Sequence, residues 1–272
     1  MKKKLNIKTI LVIVATIIIL GISLFPYFYM IIQSLAPWDQ TDKVFIPSGI
    51  TLKSYEYLLG GSGGASAGMW IKALLNSFIV SAPTAIVSVL LVGYSVSKMK
   101  NFRGEKLVMN SLLFQMFFPV IILLVPRYMI SKPLTNTYLG MILPLSVSIW
   151  GIFMYINYLK SLPDAVFEAA RIDGASELKI LWHIAFPVTK SVTTIVFLST
   201  FMTRWSELMW DMLISPKINM QTLNVLISTQ FKPMGNLPGP MYAASVILTL
   251  PIVIMFLCFS KYFKEGINFM LK

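Results

Sequence analysis

Apolar residues run almost without interruption through six stretches of this chain, at about 9–33, 72–97, 107–130, 138–159, 189–211 and 241–261. Each is long enough to cross a hydrocarbon layer about 30 Å thick as a helix rising about 1.5 Å per residue. The runs are continuous and do not alternate between apolar and polar positions. Helices rather than barrel strands are therefore expected, since lipid leaves no other way for a single segment to satisfy its own backbone. Met1-Lys-Lys-Lys4 precedes an apolar run that reaches Ile32 with no small-residue cleavage site. It reads as a first transmembrane helix and not as a signal peptide. The pattern predicts an all-α, polytopic membrane protein with six transmembrane helices, a single domain over residues 1–272.

Composition agrees with the pattern. Of the 272 residues, 56% are hydrophobic and only 12% charged, against about 25% charged in a soluble domain. Six crossings leave no room for an additional soluble catalytic domain. The formal net charge is +12, and its distribution matters more than its size. With the N-terminus inside, 15 of the 23 Lys and Arg fall on inner segments, clustered beside helix ends. The positive-inside rule then puts both termini and the loop from Lys160 to Lys190 in the cytoplasm. The basic balance is a topology signal; no basic face with stacking groups points to nucleic acid. Cys258 is the only cysteine and His183 the only histidine, so neither a disulfide nor a Cys-based metal cluster is expected. Prolines inside the runs (Pro83, Pro119, Pro126, Pro144, Pro251) can bend their helices, as bundle geometry or as hinges.

One polar insert breaks the apolar text, Glu168-Ala-Ala-Arg-Ile-Asp-Gly-Ala-Ser-Glu177. Four of the 11 acids (Asp164, Glu168, Asp173, Glu177) lie in this cytoplasmic loop. Ser161-Leu-Pro-Asp164 suits a helix start. Gly174 suits a left-handed stop. Ser176 can start a second short helix, and Pro187 marks the approach to the fifth run. Ala165 and Ala169 share one face, and Val166 and Ala170 another, small enough for close approach by a partner. Glu168 could contact a basic residue of that partner, or pair locally with Arg171.

Glu168-Ala169-Ala170, followed at fixed spacing by Gly174, Ile184 and Pro187 and strengthened by Asp173, resembles the "EAA" loop of bacterial ABC importer permeases. Asn76-Ser-Phe, Asn136-Thr-Tyr-Leu-Gly140, Leu143-Pro144, Gly151-Ile-Phe153, Ala243-Ala244, Leu250-Pro251 and Lys261-Tyr-Phe263 extend the likeness to the carbohydrate-uptake branch, over about residues 20–266. The resemblance implies a MetI-like ABC permease fold, with a core at about 70–265 and a coupling loop at 160–190. It implies a transport subunit and not an enzyme, in the bacterial cytoplasmic membrane. The implied partners are a homologous permease, two ATP-binding-cassette subunits and an extracellular solute-binding protein. ATP and Mg would sit on the ATPase partners and no cofactor on this chain, which lacks a Gly-x4-Gly-Lys-Ser/Thr phosphate loop. Departures are Phe186 and Ser191 around Pro187, and Trp205-Ser206 in place of the frequent Trp-Asn.

Arg204, Glu207 and Asp211 are spaced i, i+3 and i+7, one face if the fifth helix runs unbroken, with Trp205 and Trp210 beside them. Charges at that depth face a cavity or a partner. The face reads either as a salt-bridged surface under an aromatic belt or as a lining of the cargo pathway. A permease for another small solute (a peptide or amino acid) and a secondary transporter remain as alternatives. The latter would need coupling-ion sites or an internal repeat with broken helices.

Overall fold

The computed structural model describes residues 7–60, 67–98, 104–160, 165–231 and 238–270. The regular structure among those residues is helical, with no strand. The helices are α1 (Ile7–Ser34), α2 (Lys53–Leu59), α3 (Ala67–Lys98), α4 (Glu105–Met116), α5 (Leu124–Ser131), α6 (Tyr138–Ile142) and α7 (Ile149–Lys160). They continue with α8 (Ala165–Ile172), α9 (Glu177–Ile180), α10 (Phe186–Val188), α11 (Lys190–Trp205), α12 (Met209–Ile214), α13 (Leu223–Gln230) and α14 (Pro238–Met270). Three of them, α1, α3 and α14, are long and apolar enough to cross a membrane unaided; counting two bent pairs as one span each raises the number to five. The helix start foreseen at Ser161–Asp164 lies outside the described residues.

Three of the six predicted crossings are interrupted, each for a local reason. The run 107–130 is not one helix. α4 stops at Met116, and residues 117–123 turn before α5 begins. Pro119 disfavours helical backbone at the residue before it and offers no N–H. The freed groups close tight turns instead: Ile122 N–H donates to Pro119 O at 3.0 Å and Leu124 N–H to Ile121 O at 3.2 Å. The run 138–159 bends by 45° between α6 and α7. The run 189–211 ends its helix at Trp205 and restarts at Met209.

The chain divides into two compact units. One comprises residues 1–71 and 227–250. In it α1 exposes nearly all of its apolar side chains, and only its end, at Gln33 and Ser34, is buried. Gln33 fastens the following loop: its amide donates to Val44 O at 2.8 Å and its carbonyl accepts from Asp42 N–H at 3.0 Å. The Asp42 carboxylate accepts from the hydroxyls of Tyr29 (3.1 Å) and Tyr242 (2.7 Å).

The other unit comprises residues 72–226 and 251–272 and holds every candidate site residue. Its largest apolar core joins Val89 and Val92 of α3, Ile152, Tyr155 and Ile156 of α7, and Val192 and Val196 of α11 to the loop residues Ala170, Ile180, Leu181 and Ala185. A second core gathers Val80, Met141, Trp210 and Ile214. Polar ties run beside it. Buried Asn76 donates to Gln221 O (3.0 Å) and Asn219 O (3.2 Å) and accepts from the Tyr138 hydroxyl at 2.7 Å. Ser77 Oγ accepts from Leu223 N–H at 2.9 Å. Asn136, at φ 60°, takes Lys217 N–H on its side chain and gives its own N–H to Ile214 O. Asn76→Leu would remove the amide that serves two carbonyls and a phenol. It is expected to destabilise the protein by about 1–3 kcal/mol, read as a lowered thermal unfolding midpoint of the detergent-purified protein, and an unchanged midpoint would refute the tie.

Candidate functional site

The polar insert folds as helix, turn and helix. α8 ends in a double hydrogen-bonded cap: Ala175 N–H donates to Ala170 O and Gly174 N–H to Arg171 O, each at 3.0 Å. This is the Schellman arrangement, which requires a left-handed residue at its centre. Gly174 supplies it at φ +75°. Ser176 Oγ then accepts Lys179 N–H at 3.4 Å and starts α9. The second helix outruns the short one expected, continuing through a π-helical turn (Leu181–Ala185) into α10. An 81° bend at Thr189 separates this arm from α11.

Sorting by burial divides the loop into a docked face and an open face. Ala170, Ile180, Leu181 and Ala185 are buried in the membrane-helix core, with Ile184 partly buried against it. Glu168, Ala169, Asp173, Gly174 and Pro187 are exposed. Ile172 is 85% exposed beside them, an apolar side chain that the sequence reading passed over. Its signal was available, since an isoleucine next to a helix stop in a polar loop has no core to enter. The bend is pinned to α7 by side chains. Tyr155 and Thr193 share a hydrogen bond, Thr193 lies 3.2 Å from Thr189 Oγ1, and Thr189 Oγ1 donates to Ala185 O at 2.7 Å. The Tyr158 hydroxyl donates to Val188 O at 3.1 Å.

The second candidate cluster is not a helix face. With the helix broken at residues 206–208, Arg204 closes α11, Glu207 lies in the break and Asp211 sits in α12. Arg204 and Asp211 nevertheless meet. Their side chains, 2% and 1% exposed, form a two-pronged ion pair, with Arg204 Nη1 2.9 Å from Asp211 Oδ2. Thr222 Oγ1 donates to the same carboxylate at 3.2 Å. The pair repairs the bent run of α6 and α7. Pro144 has no N–H to give Gly140 O four residues back. Trp210 Nε1 donates to Gly140 O at 3.2 Å, Arg204 Nη2 to Met141 O at 3.2 Å, and Ser146 Oγ to Ile142 O at 2.8 Å. Gly140 must be glycine there, because a Cβ would fall 2.3 Å from Leu134 O. Trp205 and Trp210 are fully buried, Trp205 against Phe78 and Phe201.

Arg204 and Glu207 also line a cavity of about 520 Å³ reaching from α5 across the α6–α7 break to α11. Its wall includes Arg127, Ser148, Trp150, Ser199, Thr200 and Thr203. Glu207 Oε1 accepts Trp210 N–H at 3.0 Å, and the Arg127 guanidinium lies 5.8 Å above the Trp210 ring. Among the described residues no group of three or more His, Cys, Asp and Glu could hold a metal.

The family described as "Binding-protein-dependent transport system inner membrane component" matches residues 85–268, well over half the chain. This chain belongs to that family. It is a transport permease and not an enzyme, an all-helical multi-pass component of an inner membrane. The trehalose/maltose transport permease MalG of Thermococcus litoralis is 31% identical over 275 residues, covering 96% of each chain. The arabinooligosaccharide transport permease AraQ of Bacillus subtilis (strain 168) is 26% identical over 255 residues, covering 90% of this chain and 89% of its own. A bacterial ABC transporter involved in the import of the acidic polysaccharide alginate shares the fold. There one chain superposes with a TM-score of 0.81, at 20% identity, over 96% of this permease and all of that chain.

In this permease the ion pair is a structural expense that only completeness offsets. Removing one partner of a buried pair typically costs about 3–5 kcal/mol, whereas replacing both by apolar groups is often far milder. Asp211→Leu alone is expected to unfold or misassemble the protein. Arg204→Met with Asp211→Leu should recover most of the lost thermal stability in detergent. A double variant no more stable than Asp211→Leu would show that the guanidinium's bond to Met141 O, and not charge pairing, dominates.

Proposed function

We propose that this permease is one half of the membrane core of an ATP-driven importer for sugars or oligosaccharides, in a bacterial cytoplasmic membrane. The observation that carries the reading is the coupling loop. One face, through Ala170, Ile180, Leu181 and Ala185, is fixed to the membrane helices. The other presents Glu168, Ala169 and Ile172. A rigid element buried on one side and open on the other is what a motor needs to push. The printed names of the relatives, arabinooligosaccharide and trehalose/maltose permeases, favour carbohydrate over a peptide or amino acid.

In this reading the chain acts as a single permease domain with six crossings and both termini cytoplasmic. α4 and α5 together make the third crossing, and the excess of Lys and Arg on the inner segments supports the orientation. The open face of α8 docks in a cleft of an ATP-binding-cassette subunit. Glu168 meets a basic residue there, and Gly174, Asp173, Ile184 and Pro187 shape the loop. A homologous permease, a second ATPase copy and an extracellular solute-binding protein complete the assembly. ATP and Mg belong to the ATPase pair. Closure of that pair moves α8 and α9, and the hydroxyl chain Tyr155–Thr193–Thr189 carries the displacement to α7 and α11. Of the five pathway candidates, Arg204 and Glu207 border the cavity, while Trp205, Trp210 and Asp211 hold its wall.

The test is charge reversal on the open face. Glu168→Lys should cut ATP-driven uptake in reconstituted vesicles by about tenfold or more, the scale of a like-charge contact at an interface. Pairing with the sister permease should persist in co-purification. Normal uptake by this variant would sink the docking assignment.

A further inference from the structure

We infer that a groove beside the 81° bend holds one acyl chain of an anionic phospholipid of the inner leaflet, with the lipid headgroup at Lys190 and Lys261. The inference goes beyond the importer reading and rests on it only for the orientation of the crossings.

The groove has a volume of about 410 Å³. Its walls include Ile86 of α3, Trp182 and Phe186 of the arm before the bend, Thr194 and Phe197 of α11, and Phe259 of α14. Thr194 donates its hydroxyl to Lys190 O at 2.9 Å, and Thr193, also in the wall, shares its own with Tyr155. The described lining is otherwise apolar and carries no charge. A polar ligand would lose water there without gaining partners, so the occupant is a hydrocarbon. Depth says which one. Phe259 lies at the inner end of the apolar run 241–261, and Ile86 lies 11 residues from the inner end of the run 72–97, about 17 Å along a helix. The groove thus reaches from one membrane surface to about the middle of a ~30 Å core, the depth of a single leaflet. Trp182, 55% exposed with its ring 5.0 Å from that of Phe186, is the amphipathic side chain that settles at headgroup level.

Charge then selects the lipid. Neighbouring lipid tails are as apolar as this lining, so burial of the chain favours no lipid over another. Lys190 precedes Thr194 by one helical turn and shares a stripe with Thr194 and Phe197, at i, i+4 and i+7. Lys261 follows Phe259 by two residues toward the same membrane surface. Both lysines are exposed, and such side chains extend from a helix end to the headgroup level. Two cations beside an uncharged groove favour a lipid of net negative charge over a zwitterionic one. One wall is the arm and the others are membrane helices, so an occupied groove ties the arm to those helices next to the bend.

The experiment uses the detergent-purified importer, this chain with its sister permease and ATPase pair. It is titrated with dioleoyl phosphatidylglycerol or with dioleoyl phosphatidylcholine, and bound lipids are counted by native mass spectrometry. The parent should bind one phosphatidylglycerol about twentyfold more tightly than phosphatidylcholine, the scale of two lysines at about fivefold each. Thr194→Trp fills the groove from α11 and should remove that molecule. Ile86→Trp, at a position 49% exposed, fills it from α3 and should do the same. Lys190→Gln with Lys261→Gln should keep a chain bound but bring the two lipids to equal affinity, and this pair decides alone if a filled variant fails to fold. Retention of the phosphatidylglycerol by both filled variants, or equal affinity for the two lipids in the parent, would overturn the site and leave the importer reading, which rests on uptake, intact. Loss of the sister permease from folded Thr194→Trp or Ile86→Trp complexes would give the groove to that partner and overturn the lipid assignment. In sealed right-side-out vesicles, Lys190→Cys in a Cys258→Ser chain should resist a membrane-impermeant maleimide added outside. Labelling there would sink the proposed orientation, and the inner leaflet with it, whatever the lipid counts.

Discussion

The ion pair between Arg204 and Asp211 is the contact around which the broken helices α6, α7, α11 and α12 are organised. A membrane chain that interrupts a helix must find new partners for the backbone groups it frees, because lipid supplies none. Pro144 interrupts the run 138–159, and the break at 206–208 interrupts the run 189–211. Each break repairs the other. The carbonyls of Gly140 and Met141 are answered by Trp210 and Arg204. The guanidinium that reaches across can stay charged in the interior only because Asp211 closes on it. Neither interruption is affordable alone.

From that repair the cavity follows. A bent run of α6 and α7 and a shortened α11 leave a space bordered by Arg127, Trp150, Thr200 and Glu207, and the same tryptophan that caps Gly140 O positions two of those charges. The segment after α12 is held by Asn76, Ser77 and Asn136 through backbone contacts at Gln221, Leu223 and Lys217. Several residues that carry the family likeness are therefore fasteners. Broken helices need fixed donors at fixed places, and these residues supply them.

The loop at 165–189 obeys a different constraint. In the role proposed for it, it must be stiff, attached on one side and open on the other. Its stiffness comes from the Schellman cap at Gly174 and the Ser176 start. Its attachment comes from the buried alanines and leucine in the core of α3, α7 and α11. Its openness is visible at Ile172. The 81° bend at Thr189 turns one continuous chain from the arm packed on the core into α11.

The sequence alone determined what depends on local order. Continuous apolar runs dictate helices, Gly174 dictates a left-handed stop, and the EAA spacing dictates which family the loop belongs to, confirmed by the match over residues 85–268. The helix interruptions were legible only as prolines inside apolar runs, because a proline that kinks a helix and one that ends it look alike in sequence. The expected single face of Arg204, Glu207 and Asp211 failed for a different reason. Helical spacing assumes an unbroken helix, and the break at Ser206–Leu208 carries no proline to announce it. Tertiary structure decided that Arg204 and Asp211 pair, that Trp205 and Trp210 are buried among other side chains, and that Thr200 and Trp150 line a cavity. Those outcomes depend on which element lies opposite, and burial, unlike helix formation, is a property no segment has by itself.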